Sequence, residues 1–207
     1  YSTWVGQHKG LYNAYLALKN SPEFATYSVA QKKAIENALR DFELSGIGLS
    51  EEKQKRYGEI VTRLSELSAQ FSNNVLDATM GWEKVIEDES KLAGLPESAL
   101  LAAKQSAESK GLKGYRFTLE IPSYLPIMTY CENAALREEM YRAYATRASD
   151  QGPNAGKWDN TAIIEEIMTL RVELAKLLGF NTYTERSLAT KMAENPQQVL
   201  DFLDHLA

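Results

Sequence analysis

Cysteine occurs once in the 207 residues and histidine twice, and those two shortages exclude a good deal of chemistry. A single thiol, Cys131, cannot form an internal disulfide, so the fold must be held by packing, and a reducing compartment is the default expectation. Lysine and arginine are outnumbered, 23 against 28 acidic residues, and form no block able to track a phosphate backbone. Nucleic acid is therefore not an expected partner. No apolar run approaches the roughly 20 residues that cross a bilayer, and the opening YSTWVGQHKG has no basic segment followed by an apolar one. No membrane association is expected.

Metal ligation is equally short of candidates. A catalytic zinc site usually takes three protein ligands, and a helix of the HExxH type sets two histidines four apart with a glutamate as general base. No such motif is present. His8 stands near the first helix with no carboxylate within four positions, which marks it as a surface or capping residue. Asp201 and His205 lie four apart on one helix face, a spacing that more commonly gives a weak surface contact than a site. Catalytic residues and metal ligands are thus both expected to be none, and no zinc is expected to bind this chain. Gly46-Ile-Gly48 lacks the third glycine and preceding strand of a dinucleotide loop, and reads as a helix end followed by a turn. The adjacent acids Glu138-Glu139 and Glu165-Glu166 point in different directions on a helix, as residues of a solvated face do.

What is present is a helical pattern that covers nearly the whole chain. With 44% hydrophobic and 25% charged residues, the composition is that of a folding globular protein. Leu11, Tyr15 and Leu18 mark a first helix, stopped at Asn20-Ser21-Pro22. Ser28 with Gln31 three residues on predicts a capping box, Ile35, Leu39 and Phe42 the buried face behind it, and Gly46 its end. From Glu51 to about Met80, one apolar stripe through Tyr57, Ile60, Val61, Leu64, Leu67, Phe71, Val75 and Leu76 predicts a helix roughly 45 Å long. Residues 82–87 and 115–121 alternate as half-buried strands do, with a helix opening near Pro96 between them.

Past Pro122 and Pro126 the helical period resumes through Cys131, Leu136, Met140 and Tyr144. A loop near 149–157 is the expected point of any subdivision, and two further helices follow, the last capped at Asn195-Pro196 and carrying Val199, Leu200, Leu203 and Leu206. The expectation is a mainly α fold, a multi-helical lobe with long amphipathic helices and a small two-stranded sheet. Eleven tyrosines, Tyr124, Tyr130, Tyr141 and Tyr144 among them, could line a peptide channel, although packing with the hydroxyls at the surface is the commoner role.

Several collinear segments add a resemblance. Leu39–Ser50 (LRDFELSGIGLS), Phe71–Val75 (FSNNV), Leu136–Asp150 (LREEMYRAYATRASD), Leu170–Phe180 (LRVELAKLLGF) and Lys191–Leu203 (KMAENPQQVLDFL) resemble, in this order, segments of the thimet oligopeptidase family. That resemblance implies a cytoplasmic, zinc-dependent peptidase that cleaves short peptides in a channel between helical lobes. It also implies that the HExxH helix lies C-terminal to these segments, so that residues 1–207 are a helical N-terminal-side region without a catalytic centre. On this reading the partners are short peptides and the remainder of the parent chain. Self-association is a further expected outcome, and the isolated chain is inactive. The substrate-facing residues are unknown from sequence. The rival reading is a helical interaction module, which the long amphipathic helix would equally suit.

Overall fold

A computed structural model describes residues 2–207. The chain forms two compact units, one comprising the residues up to Ser65 and again from Glu166, the other Glu66–Glu165.

The first unit begins with α1 (Ser2–Gly6), α2 (Lys9–Asn20) and a single 3-10 turn (Pro22–Thr26). α3 (Val29–Leu44) starts on the expected capping box: Gln31 N donates to Ser28 Oγ, and Ser28 N donates back to Gln31 Oε1. Its buried residues are Ile35, Leu39 and Phe42, as the period predicts. It ends in a Schellman arrangement, with Ile47 N bonded to Phe42 O and Gly46 N to Glu43 O. The left-handed conformation this requires falls on Gly46, at φ 79°, where no side chain resists it. Tyr12 and Tyr15 of α2 contact the Phe42 ring at 5.8 and 6.0 Å between centres, which ties α2 to α3.

α4 (Glu51–Met80) has the expected bounds, and the unit boundary falls within it. Tyr57, Ile60, Leu67 and Ala78 are its buried members. Leu76 corrects the expected stripe, being 56% exposed. The pattern actually followed steps three and four alternately through Tyr57, Ile60, Leu64, Leu67, Phe71, Asn74 and Ala78, and Leu76 stands off that line. α8 (Thr161–Leu177) also contributes to both units. Two bidentate ion pairs join α4 to α8 within the first unit: Arg56 to Glu173 at 2.6 and 2.7 Å, and Arg63 to Glu166 at 2.6 and 2.8 Å. The arginines ascend by seven as the glutamates descend by seven, the register of antiparallel helices. α9 (Tyr183–Leu188), unforeseen in the periodicity, opens on a second capping box from Thr182 and Glu185. α10 (Pro196–Leu206) is capped by Asn195 and places no residue in a core.

In the second unit, β1 (Glu83–Ile86) pairs antiparallel with β2 (Tyr115–Thr118), Glu83 opposite Thr118 and Ile86 opposite Tyr115. Between them lie a 3-10 turn (Glu89–Leu92) and α5 (Glu97–Glu108). β2 ends three residues before the expected Ile121, because Ser123 Oγ accepts from Thr118 N and the chain turns into a helix. That helix, α6 (Ile121–Tyr130), replaces the break expected at Pro122 and Pro126. Pro122 sits in the first turn, where an amide would lack a partner anyway, and only Pro126 removes an interior bond. Burial of the neighbouring Ile127, with no exposed surface, offsets that loss. α7 (Ala134–Ala145) follows, capped by Asn133 Oδ1. Trp82, Phe117, Leu119, Ile127, Leu136 and Met140 form the centre of this unit's core.

Candidate functional site

The histidines occupy separate structural roles. His8 caps α2, its Nδ1 accepting from Leu11 N at 3.1 Å, and its ring meets Trp4 edge-on at 5.2 Å. His205 lies in the last turn of α10, where Asp201 accepts from Gln197 one turn earlier. Cys131 is buried in the core of the second unit, with Sγ 3.7 Å from Lys91 O. Among the described residues no group of three or more His, Cys, Asp or Glu is placed to hold a metal ion. Two of the acids named in the sequence take structural partners: Glu139 binds Lys84 at 2.9 Å, and Glu166 binds Arg63, whose hydrogen bonds hold its carboxyl below the usual range.

The tyrosines do converge. Tyr124 of α6 stacks on Tyr144 of α7, ring centres 4.2 Å apart and planes 16° from parallel. The Arg147 guanidinium lies 3.6 Å from the Tyr144 ring centre. Both neighbours are too close to share one face of that ring, so Tyr144 is sandwiched between them. Arg147 is held from two further directions. Its Nε donates to Tyr144 O at 2.9 Å and its Nη1 to Thr79 Oγ1 at 2.6 Å, while the Thr79 hydroxyl in turn donates to Val75 O at 2.7 Å. Burial raises the Tyr124 phenol above its ordinary value; Tyr144 and Tyr141 add to that and Arg147 opposes it. Tyr141 itself is exposed.

A buried amide network lies in the same unit. Asn160, 2% exposed, donates through Nδ2 to Phe71 O at 3.2 Å, accepts at Oδ1 from Asn74 Nδ2 at 2.8 Å, and donates its backbone N–H to Ala148 O at 3.0 Å. Ala148 is the one non-glycine residue with positive φ among the described residues, at 51°. The segment from Arg147 to Asn160 is thus fastened to α4 at both ends by side-chain amides, a hydroxyl and a guanidinium. Sequence reading named Tyr124 and Tyr144 but assigned nothing to Arg147, Thr79 or Asn160. An Asn on the apolar line of α4, at position 74, was the available signal that a polar partner must be buried opposite it.

The model of peptidase family M3 matches residues 127–207, and that of the neurolysin/thimet oligopeptidase N-terminal domain matches residues 1–54. Over its whole length the chain is 89% identical to oligopeptidase A of Haemophilus influenzae and 72% identical to oligopeptidase A of Escherichia coli, covering 30% of each. It is 45% identical, over 96% of its length, to the probable cytosolic oligopeptidase A of Arabidopsis thaliana, covering 29% of that protein. The chain therefore spans about a third or less of the curated relatives it matches. Two family models in consecutive order, and likeness from one end of the chain to the other, lead to one conclusion: the chain belongs to peptidase family M3, the family of neurolysin and the thimet oligopeptidases.

Proposed function

We propose that this chain is the helical scaffold and part of the channel wall of a cytoplasmic, zinc-dependent oligopeptidase that hydrolyses short peptides, and that the zinc site is built by other residues of a longer protein. The observation that carries this reading is 89% identity along the entire chain to a protein named oligopeptidase A, of which the chain covers 30%. Zinc, where the other residues hold it, would activate a water and polarise the scissile carbonyl. This chain's own contribution is to position walls and to limit access. Long helices fastened at several points exclude folded proteins and admit flexible peptides.

The apolar face of α10 supports the same reading. Leu200, Phe202, Leu203 and Leu206 are all more than half exposed, and contiguous apolar surface of this kind marks a contact. The remainder of the longer protein is its proposed cover, with self-association the outcome when that remainder is absent. The test is a quenched fluorescent peptide with added zinc, offered first to the purified chain and then to the chain mixed with the separately expressed remainder. Cleavage is expected only in the mixture. Chelator-sensitive turnover by the chain alone would overturn the scaffold reading, and a mixture in which the two parts never associate would overturn the proposed role of α10.

A further inference from the structure

The space between α5, β2 and the first turns of α6 holds a cavity of about 190 Å³, lined entirely by residues of the second unit. That is far more than one water needs and less than a drug-sized ligand fills, so it matches a single side chain. Its walls keep it open: Ala99, Ala102 and Ala103 present only methyl groups from α5, and Pro122 and Pro126 stiffen α6. Polar groups reach the same space from all three elements. Arg116 and Thr118, two apart on β2, share one face of the strand. Arg116, its side chain 15% exposed, gives Nε to Glu83 at 2.6 Å and Nη1 to Ser106 Oγ of α5 at 2.9 Å. Thr118, 6% exposed, gives its backbone N–H to Ser123 Oγ of α6 at 2.9 Å and its hydroxyl to Glu120 Oε2 at 3.2 Å. Both serines line the cavity, each held by the bond it accepts, and neither hydroxyl proton has an acceptor among the described residues. Glu120 lines it too, and its second carboxylate oxygen has no donor among the described residues. Two positioned hydroxyl donors and one acceptor therefore serve a single small space with apolar walls.

We propose that this cavity binds a primary carboxamide on a short apolar stem, the side chain of a glutamine in a peptide. A carboxamide oxygen has two lone pairs for the two serine hydroxyls, its NH₂ donates to Glu120, and the methylenes lie on the alanine and proline walls. Competing groups each leave something unmet. A carboxylate is repelled, because Glu83 already neutralises Arg116 and Glu120 adds a further negative charge. An ammonium brings three donors and no acceptor, so both hydroxyl protons stay unpaired beside the Arg116 cation. An apolar side chain strips water from the hydroxyls and the carboxylate and replaces none of those bonds. The inference goes beyond the oligopeptidase reading and requires neither zinc nor peptide cleavage.

The experiment follows the Thr118 backbone amide and the Arg116 Nε–H of the full chain by NMR as N-acetylglutamine N-methylamide is added. Matched probes carry glutamate, lysine and methionine side chains on the same blocked backbone. A saturable shift with an affinity on the order of millimolar is expected with the glutamine probe, and binding about fivefold weaker or none with the others. Ser106→Ala and Ser123→Ala should each weaken binding by about fivefold, the loss of one hydrogen bond. Ala102→Leu places a larger side chain in the cavity wall at an exposed helix position, and should abolish the shift while the melting temperature holds. No saturable shift with the glutamine probe, equal binding of any matched probe, or unchanged affinity in Ala102→Leu would each overturn the proposal. Should a serine variant unfold, the matched probes on the unaltered chain still decide. Peptide turnover does not enter the readout. Failure of binding therefore removes this site and leaves the oligopeptidase reading standing, while failure of the reconstituted cleavage assay does the reverse.

Discussion

Replacing Asn160 by leucine should unfold the second unit far more readily than its conserved volume suggests. Asn160 is 2% exposed, and its side chain holds Phe71 O and the Asn74 amide, both on α4. Leucine fills similar space but abandons one buried acceptor and one donor. A typical hydrogen bond contributes about 1 kcal/mol net, and a buried polar group left unpaired costs about 1–3 kcal/mol. Asn74 is partly exposed and recovers some of that from water, and Phe71 O keeps its helical position. The expected loss is therefore about 2–4 kcal/mol. In urea, with a slope near 2 kcal/mol per molar, the midpoint should fall by roughly 1–2 M. Tryptophan fluorescence reads the right unit, since Trp82 and Trp158 both lie in it, whereas Trp4 of the first unit is 65% exposed. A double-mutant cycle with Asn74→Ala isolates the amide pair, with a coupling of about 1 kcal/mol expected. If Asn160→Leu matches or exceeds the parent in stability, the network is filling space and the reasoning fails.

Three further outcomes are expected. Glu166 and Glu173 are held below the ordinary carboxyl value of 4.5 by hydrogen bonds from Arg63 and Arg56. A lowered folded value means stabilisation that is present above the unfolded value and lost as pH falls through the folded one. Carbon-detected NMR titration should place both inflections below 4.5, moving upward in 1 M salt, and an inflection above 4.5 at low salt would contradict the pairing. Gly94→Ala should cost more than about 2 kcal/mol, because φ is 89° there and a Cβ would meet Tyr130 O and the Glu132 side chain; an unchanged melting temperature would refute that. Paired substitution of Phe202 and Leu206 by glutamate on α10 should leave the chain's own melting within about 1 kcal/mol of the parent while abolishing association in sedimentation experiments. A large loss of stability would instead place that face in a core.

Much of this protein's local structure was legible in its residues. Ser28 with Gln31, Gly46, Asn195-Pro196 and the apolar period of α4 and α10 specify helix starts, stops and faces, because caps and side-chain spacing act over one or two turns. The same locality explains what was misread. Pro122 and Pro126 resemble a break until the burial of Ile127 outweighs one lost hydrogen bond, and α1 and α9 are too short for a period to show. Period also marks which residues share a face without saying whether anything covers it. Leu39 and Leu203 follow the same rule, yet one is buried and the other exposed. Only the tertiary structure decided that Arg63 meets Glu166 across 103 positions, that Asn160 meets Asn74 across 86, and that the Arg147 guanidinium lies on the Tyr144 ring. Those partners depend on the path of the chain between them, which no spacing along it records.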